Sequence, residues 1–246
     1  MDYFIADPAG NTTAFVLGQP NAHTAEKLLS DSELKIEQVA FLGPPQQGGH
    51  IKCDMAGGEF CGNACRAAGY YYGLKHGLPD DSDVLVEMSG TEGKTVKVTV
   101  YPESGRSFVN MPLPQRVSEV ELSGRQLPVV LFDGIAHIIA PYELRDAIDL
   151  NKELMHRLCR QLDTAALGIM FLSGDAQHLK PVVWVDQVGS LIWESSCGSG
   201  SAACAWWLSN DLQDGKRDFV FTEPGGVLEV TLLRNRAGDS ELCPPV

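Results

Sequence analysis

No stretch of this 246-residue chain approaches the ~18 consecutive apolar residues that a membrane-spanning helix needs. Its first residues, Met1-Asp2-Tyr3-Phe4-Ile5-Ala6-Asp7, lack the basic start and apolar run of a secretion signal. Positive charge is scarce: 19 lysines and arginines face 32 aspartates and glutamates, a net charge of -13. Such a surface repels phosphate backbones and anionic lipid, so neither nucleic acid nor membrane is expected as a partner. Gly-x-Gly-x-x-Gly and phosphate-loop patterns are missing, and no lysine stands in a recognisable pyridoxal phosphate setting. Neither Cys-x-x-Cys nor His-Glu-x-x-His occurs, so no metal site and no cofactor is expected. Low-complexity tracts are absent too, and 44% hydrophobic residues suffice for a sizeable core. Seven cysteines, an odd number without an export signal, fit free thiols in a reducing cytoplasm.

What is present is mostly short strands. Tyr3–Ala6, Phe15–Leu17, Val84–Met88, Thr95–Tyr101, Val129–Phe132, Val182–Val185 and Val227–Leu233 are rich in β-branched or aromatic residues and bounded by turn formers. Helical periodicity predicts helices over Thr24–Leu34, Gly62–His76, Asn151–Leu162 and Gly198–Asn210, with Asn151 as a cap before an acidic first turn. Two prolines in Met111-Pro112-Leu113-Pro114 interrupt the pattern and place a boundary there, dividing the chain into lobes 1–113 and 114–246. Gly225-Gly226 after Glu223-Pro224 reads as a tight turn between strands.

The two halves share an imperfect echo. Cys61-Gly62-Asn63-Ala64-Cys65-Arg66-Ala67-Ala68 resembles Cys197-Gly198-Ser199-Gly200-Ser201-Ala202-Ala203-Cys204: a cysteine, a glycine and a small polar residue opening an alanine-rich helix. A helix start carries unpaired N–H groups and roughly half a positive charge. The dipole is worth about 0.3–1 kcal/mol when exposed and up to ~2 when partly buried. At ~1.36 kcal/mol per unit, that predicts roughly one unit of thiol acidification. The same N–H groups form an anion site, and the glycine after each cysteine lets a carboxylate approach the backbone. If the halves face each other, one α-carboxylate is held by both helix starts with a sulfur on each side of Cα. That geometry removes a proton from one face and returns one to the other, with one cysteine as thiolate and its partner as thiol. A single cysteine at a helix start reads as core packing; two matched copies reverse that reading. Cys65 and Cys204, deeper in their helices, read as core, and Cys53, Cys159 and Cys243 have no supporting context. His137 reads as a structural histidine.

At these residues the sequence resembles the diaminopimelate epimerase superfamily, whose members racemise amino acids without cofactor. The likeness includes Gly10-Asn11, Glu37-Gln38-Val39, Glu59-Phe60-Cys61-Gly62-Asn63, Cys197-Gly198-Ser199-Gly200 and Pro224-Gly225-Gly226. It implies an α/β (α+β) protein of two pseudosymmetric lobes, each a curved mixed sheet around a central helix, with a cleft between. It implies Cys61 and Cys197 as the acid/base thiols and Asn11, Gln38, Gly62, Asn63, Gly198 and Ser199 as substrate contacts. Where the epimerase holds the distal end of diaminopimelate, this chain has Lys52, Ile135 and Gly168, and Glu194-Ser195 replaces Glu-Arg. Losing the arginine removes the planar fork suited to a carboxylate, which disfavours diaminopimelate.

Pro8-Ala9-Gly10-Asn11-Thr12-Thr13, the run Met55 to Ala64, the run Ser190 to Gly200, and the run Lys216 to Gly226 are similar to histidine racemases of staphylopine-type metallophore biosynthesis. By that likeness Glu37 and Glu194 contact the imidazole or ammonium, and Ser195 is counted with them. The expectation is a cofactor-independent racemase of histidine, with a small amino acid as its only obligatory partner and a homodimer as the default assembly. The alternatives are a diaminopimelate epimerase or a racemase of another amino acid. A phenazine-biosynthesis-like isomerase is disfavoured by the paired cysteines. From another class, the alternative is a non-catalytic amino-acid-binding or redox-sensing protein.

Overall fold

A computed structural model describes residues 2–235 and 239–243. The chain divides into two compact units, Met1–Asn110 and Met111–Val246.

The first unit holds β1 (Tyr3–Ala6), β2 (Thr13–Leu17), α1 (Ala22–Leu29), β3 (Gln38–Gly43), β4 (Ile51–Met55), α2 (Gly62–Lys75), β5 (Ser82–Met88), β6 (Thr95–Tyr101) and β7 (Arg106–Val109). Its strands form one mixed sheet in the order β1 to β7. The parallel pairs β2/β3 and β4/β5 are those bridged by α1 and α2, as a parallel connection requires. Val96, Val98 and Val100 alternate inward along β6 with Lys97 exposed between them, the two-residue period of a half-buried strand. Helix α2 can lie close to that strand because its inner face is small. A Cβ on Gly69 would stand 2.7 Å from Val98 Cγ1, and one on Gly73 would stand 2.9 Å from Val100 Cγ2.

In the second unit are β8 (Arg116–Leu122), β9 (Arg125–Leu131), β10 (Ile135–Pro141), α3 (Lys152–Leu162), β11 (Ala166–Leu172), β12 (Leu179–Val185), β13 (Ser190–Trp193), α4 (Gly198–Leu208), β14 (Gly215–Glu223), β15 (Gly226–Arg234) and β16 (Ser240–Cys243). Six strands make one sheet in the order β13-β12-β11-β10-β9-β8, and β14-β15-β16 make a second. Again one parallel pair, β10/β11, is spanned by a helix, α3. Asn151 caps α3 by accepting from the Leu154 N–H at 2.9 Å, as its sequence predicts. Met155, Leu158, Cys159 and Leu162 form its buried stripe. Helix α4 is apolar nearly all round, with Ala202, Ala203, Cys204 and Ala205 fully buried in a cluster with Met170, Phe221 and Leu232. In both units a parallel β–α–β pair is followed by antiparallel strands and then a helix that a cysteine caps.

Most expected elements stand within one or two residues of their predicted ends, the usual uncertainty of helix and strand limits. Three depart further: β9 begins at Arg125 rather than Val129, β12 at Leu179 rather than Val182, and helix α1 ends early. It spans Ala22–Leu29 rather than Thr24–Leu34, because Ser30 Oγ bonds the Lys27 carbonyl and Asp31–Leu34 closes a separate turn. Helix α4 likewise stops at Leu208, where Ser209 and Asn210 turn back onto the Trp206 and Trp207 carbonyls. The Glu223–Gly226 turn is where the sequence puts it. No helix among the described residues is long and apolar enough to cross a membrane.

Candidate active site

Each unit carries a cluster of polar groups built around the start of one helix. In the first, Cys61 is the N-cap of α2 (φ -131°, ψ 111°) and its sulfur accepts from the Ala64 N–H at 3.4 Å. The Cys61 thiol also donates to Gln38 Oε1 at 3.2 Å. Gln38 opens β3, and the parallel register sets it beside Thr13, two residues past Asn11. The same register brings Glu37 to Asn11, whose Nδ2 donates to Glu37 Oε2 at 2.8 Å. Asn63 Nδ2 donates to Asn11 Oδ1 at 3.3 Å, and Arg66 Nε donates to Asn63 Oδ1 at 3.2 Å. Arg66, Asn63, Asn11 and Glu37 thus form one polar chain that starts on a cation and ends on a carboxylate, with Asn11 and Asn63 almost wholly buried. Burial lowers the Arg66 pKa, while attraction to the Cys61 sulfur as thiolate works the other way.

The approach to Cys61 is held from behind. Ser89 Oγ donates to the Glu59 carbonyl at 2.7 Å and accepts from the Met55 N–H at 2.9 Å. A Cβ on Gly90, which has φ 69°, would stand 2.4 Å from the Phe60 nitrogen, so only glycine lets this turn lie against the strand-to-helix segment. Glu59 is buried, its pKa is raised by desolvation, and its Oε2 has no hydrogen-bond partner.

In the second unit Cys197 is the N-cap of α4, with nearly the same torsions (φ -133°, ψ 103°) but no side-chain cap bond. Its sulfur is 3.6 Å from Ser199 Oγ, which in turn lies 2.9 Å from His137 Nε2. His137 is completely buried on β10, and burial lowers its pKa to about 3, so the imidazole is neutral. It fits because the facing residue of β11 is Gly168: a Cβ there would stand 2.4 Å from His137 Nδ1. Gly200 is similarly crowded, its absent Cβ lying 2.1 Å from Met170 Sδ and 3.2 Å from Cys197 Sγ. The backbone N–H of Cys197 donates to Glu223 Oε2 at 2.8 Å. Burial raises the Glu223 carboxyl to about 8, against the opposing pull of the Ser201 hydroxyl and that N–H.

The expected acidification of a helix-start thiol is reversed at Cys197. Burial, then the charges of Glu194 and Glu223, push its pKa well above the ordinary thiol range, and the Ser199 hydroxyl and Gly200 N–H only partly offset them. A dipole contribution of roughly one unit is outweighed by desolvation that reaches ~3–5 units for fully buried groups. Cys65 and Cys204 are fully buried packing residues, as read from their depth in the helices. The side chain of Cys243 lies outside the described residues.

Asn11, Glu37, Gln38, Gly62 and Asn63 are therefore assembled around Cys61. Glu194, Ser195, Gly198 and Ser199 flank Cys197, with Glu194 buried and Ser195 accepting from the Gly225 N–H at 2.7 Å. The sequence reading passed over Arg66 and Glu223 and set His137 aside as structural. None of the three carries a local mark of its place in the sequence: burial and the partners that folding brings near are what pick them out.

Comparison with known proteins gives a consistent result. The family described as Histidine racemase CntK N-terminal domain matches residues 1–241. A histidine racemase of Fusobacterium nucleatum subsp. nucleatum is 28% identical over 243 residues, covering 93% of this chain and 88% of its own. One from Staphylococcus aureus is 27% identical over 243 residues, with 93% and 87% covered. Among solved structures, a predicted epimerase from Pseudomonas aeruginosa matches with a TM-score of 0.65 at 16% identity. That match covers 98% of this chain and 94% of the other, and it is a likeness of fold.

Proposed function

The chain belongs to this histidine racemase family, and from that premise we propose that it interconverts L- and D-histidine by a two-thiol route that needs no cofactor. One cysteine sulfur, as thiolate, takes the α-proton. The other, as thiol, returns a proton to the opposite face of Cα, and the roles exchange for the other enantiomer. The N–H groups that follow Cys61 and Cys197 receive the charge that develops on the substrate carboxylate. Glu37, held by Asn11, and Glu194, whose charge acts on Cys197, are the acidic groups available to the imidazole or ammonium of histidine. Both thiols must stay reduced, which is the reason for placing the protein in a reducing cytoplasm.

The observation that carries this reading is that Cys61 and Cys197 are both N-caps of a central helix with matching torsions, each next to a glycine and a polar side chain. The test is racemisation in deuterium oxide. Histidine should gain deuterium at Cα, while diaminopimelate, offered alone, should not. Cys61→Ser and Cys197→Ser should each lose at least about a thousandfold in kcat/KM, within the ~10²–10⁴ span of general acid–base catalysis. Retention of full activity by either variant ends the two-thiol reading, and deuteration of diaminopimelate instead of histidine ends the assignment of substrate.

A further inference from the structure

Beyond the paired cysteines, the second unit contains a buried acid that the two-thiol reading leaves without a role. Glu223 is the last residue of β14, only 5% exposed, and both of its carboxyl oxygens are engaged by α4: Oε2 by the Cys197 N–H at 2.8 Å and Oε1 by the Ser201 hydroxyl at 2.5 Å. Two residues further, the Gly225 N–H donates to the Ser195 carbonyl at 2.7 Å. The β14–β15 turn therefore grips the segment leading into α4 at two points, one on each side of Ser196. We propose that Glu223 is a positioning residue for Cys197: its carboxyl fixes the peptide at the start of α4 and, as it ionises, opposes loss of the Cys197 proton, keeping that sulfur in its proton-donating form.

A carboxylate at a helix start occupies the place where the dipole would otherwise favour a thiolate. The charged and titratable groups around Cys197 within its unit point the same way. Glu194 precedes it in the chain, Glu223 reaches it from β14, and Cys204 lies deeper in α4 with its own pKa raised by burial and by Glu223. His137, reached through Ser199, is neutral and supplies no cation. With the Glu223 carboxyl titrating near 8, its charge appears in the range where Cys197 would begin to ionise, and opposes that ionisation.

This proposal rests on the two-thiol reading for its meaning in catalysis. It assigns the first proton movements once the Cys61 thiol has released its proton to solvent: the Cα–H bond breaks as an S–H bond forms on the Cys61 thiolate, and the Cys197 S–H bond breaks as its proton joins the opposite face of Cα. Cys61 is left as thiol and Cys197 as thiolate until the reverse turnover restores both, or until Cys61 gives a proton to water and Cys197 takes one from it.

The experiment follows the rate of iodoacetamide modification at Cys197 against pH, by mass spectrometry of its peptide, in the wild type, Glu223→Gln and Ser201→Ala. The glutamine keeps an acceptor for the Cys197 N–H and removes the charge. The modification midpoint at Cys197 should fall by about one pH unit, so that its rate at a fixed pH below the midpoint rises about tenfold. The rate at Cys61 should stay within about twofold. The basic limb of the kcat/KM profile should move down with the Cys197 midpoint, while KM stays near its wild-type value. In Ser201→Ala the carboxyl loses a donor and ionises later, so Cys197 modification above pH 8 should rise two- to threefold. A Cys197 profile in Glu223→Gln that superimposes on the wild type overturns the proposal and leaves Glu223 a structural tie. If Glu223→Gln does not fold, an unchanged profile in Ser201→Ala overturns it equally. Alkylation needs no turnover, so this result is separate from the activity of the serine variants that tests the two-thiol reading itself.

Discussion

The helix starts at Cys61 and Cys197 have almost the same backbone and opposite electrostatics. Around Cys61 the polar chain begins on Arg66, and the sulfur has Gln38 and the Ala64 N–H as partners. Around Cys197 the flanking charges are Glu194 and Glu223, and the one basic side chain in the set, His137, is neutral. The two matching motifs thus share the shape of a cysteine-capped helix start while their surroundings differ in sign. Backbone geometry can be duplicated by a cap and a glycine, but acidity is set by whichever charges and how much water the rest of the lobe supplies.

Removing the cation should blur that contrast most. Arg66→Gln should lower kcat/KM for histidine about tenfold, the value of roughly one pKa unit at Cys61. Alkylation of Cys61 should slow by a similar factor with Cys197 unaffected. Arg66→Lys should recover part of the loss, because charge returns without the Nε bond to Asn63. A steric change can then break the second start alone. The residue three past each cysteine is Ala64 in α2 and Gly200 in α4, and only the latter faces a methionine sulfur at 2.1 Å from its missing Cβ. Gly200→Ala should cost about 1–3 kcal/mol through overpacking, read as a lower Tm, and should impair turnover by displacing the Cys197 sulfur.

A smaller effect lies in the pH dependence of stability. The His137 pKa in the folded protein, about 3, is below the ~6.5 of an unfolded chain, so the native state binds fewer protons in between. Its contribution is present above about pH 6.5 and is lost as pH falls towards 3. Glu223 runs the other way. Its folded value near 8 exceeds the unfolded ~4.3, so stability is lost as pH rises between them. Melting curves should show a shallower acid-side loss in His137→Gln and a shallower alkaline-side loss in Glu223→Gln than in the wild type.

Much of this architecture was legible in the residues. Strands such as β6 announce themselves by alternation, and α3 by a cap and a one-sided stripe. Strand β11 carries no such mark, since all seven of its residues are buried and nothing alternates. The cysteine caps and their polar neighbours Asn11, Gln38 and Asn63 were also within reach, because short motifs record local geometry. Glu223 and Arg66 were not, since their importance comes from burial and from partners that only the folded chain brings near. The sign of the Cys197 shift was misjudged for the same reason: a helix dipole is visible in a sequence, whereas the dehydration of a sulfur is not.

The N-cap position itself has a final consequence. Serine is among the side chains that finish a helix best at this place, worth about 1 kcal/mol over a residue that cannot cap. At Cys197 the sulfur makes no cap bond at all. A cysteine at this place thus leaves the start of α4 less firmly capped than a serine would. The Cys197→Ser protein should melt no lower than its parent, and any gain in Tm would measure the rigidity that the missing cap bond costs α4.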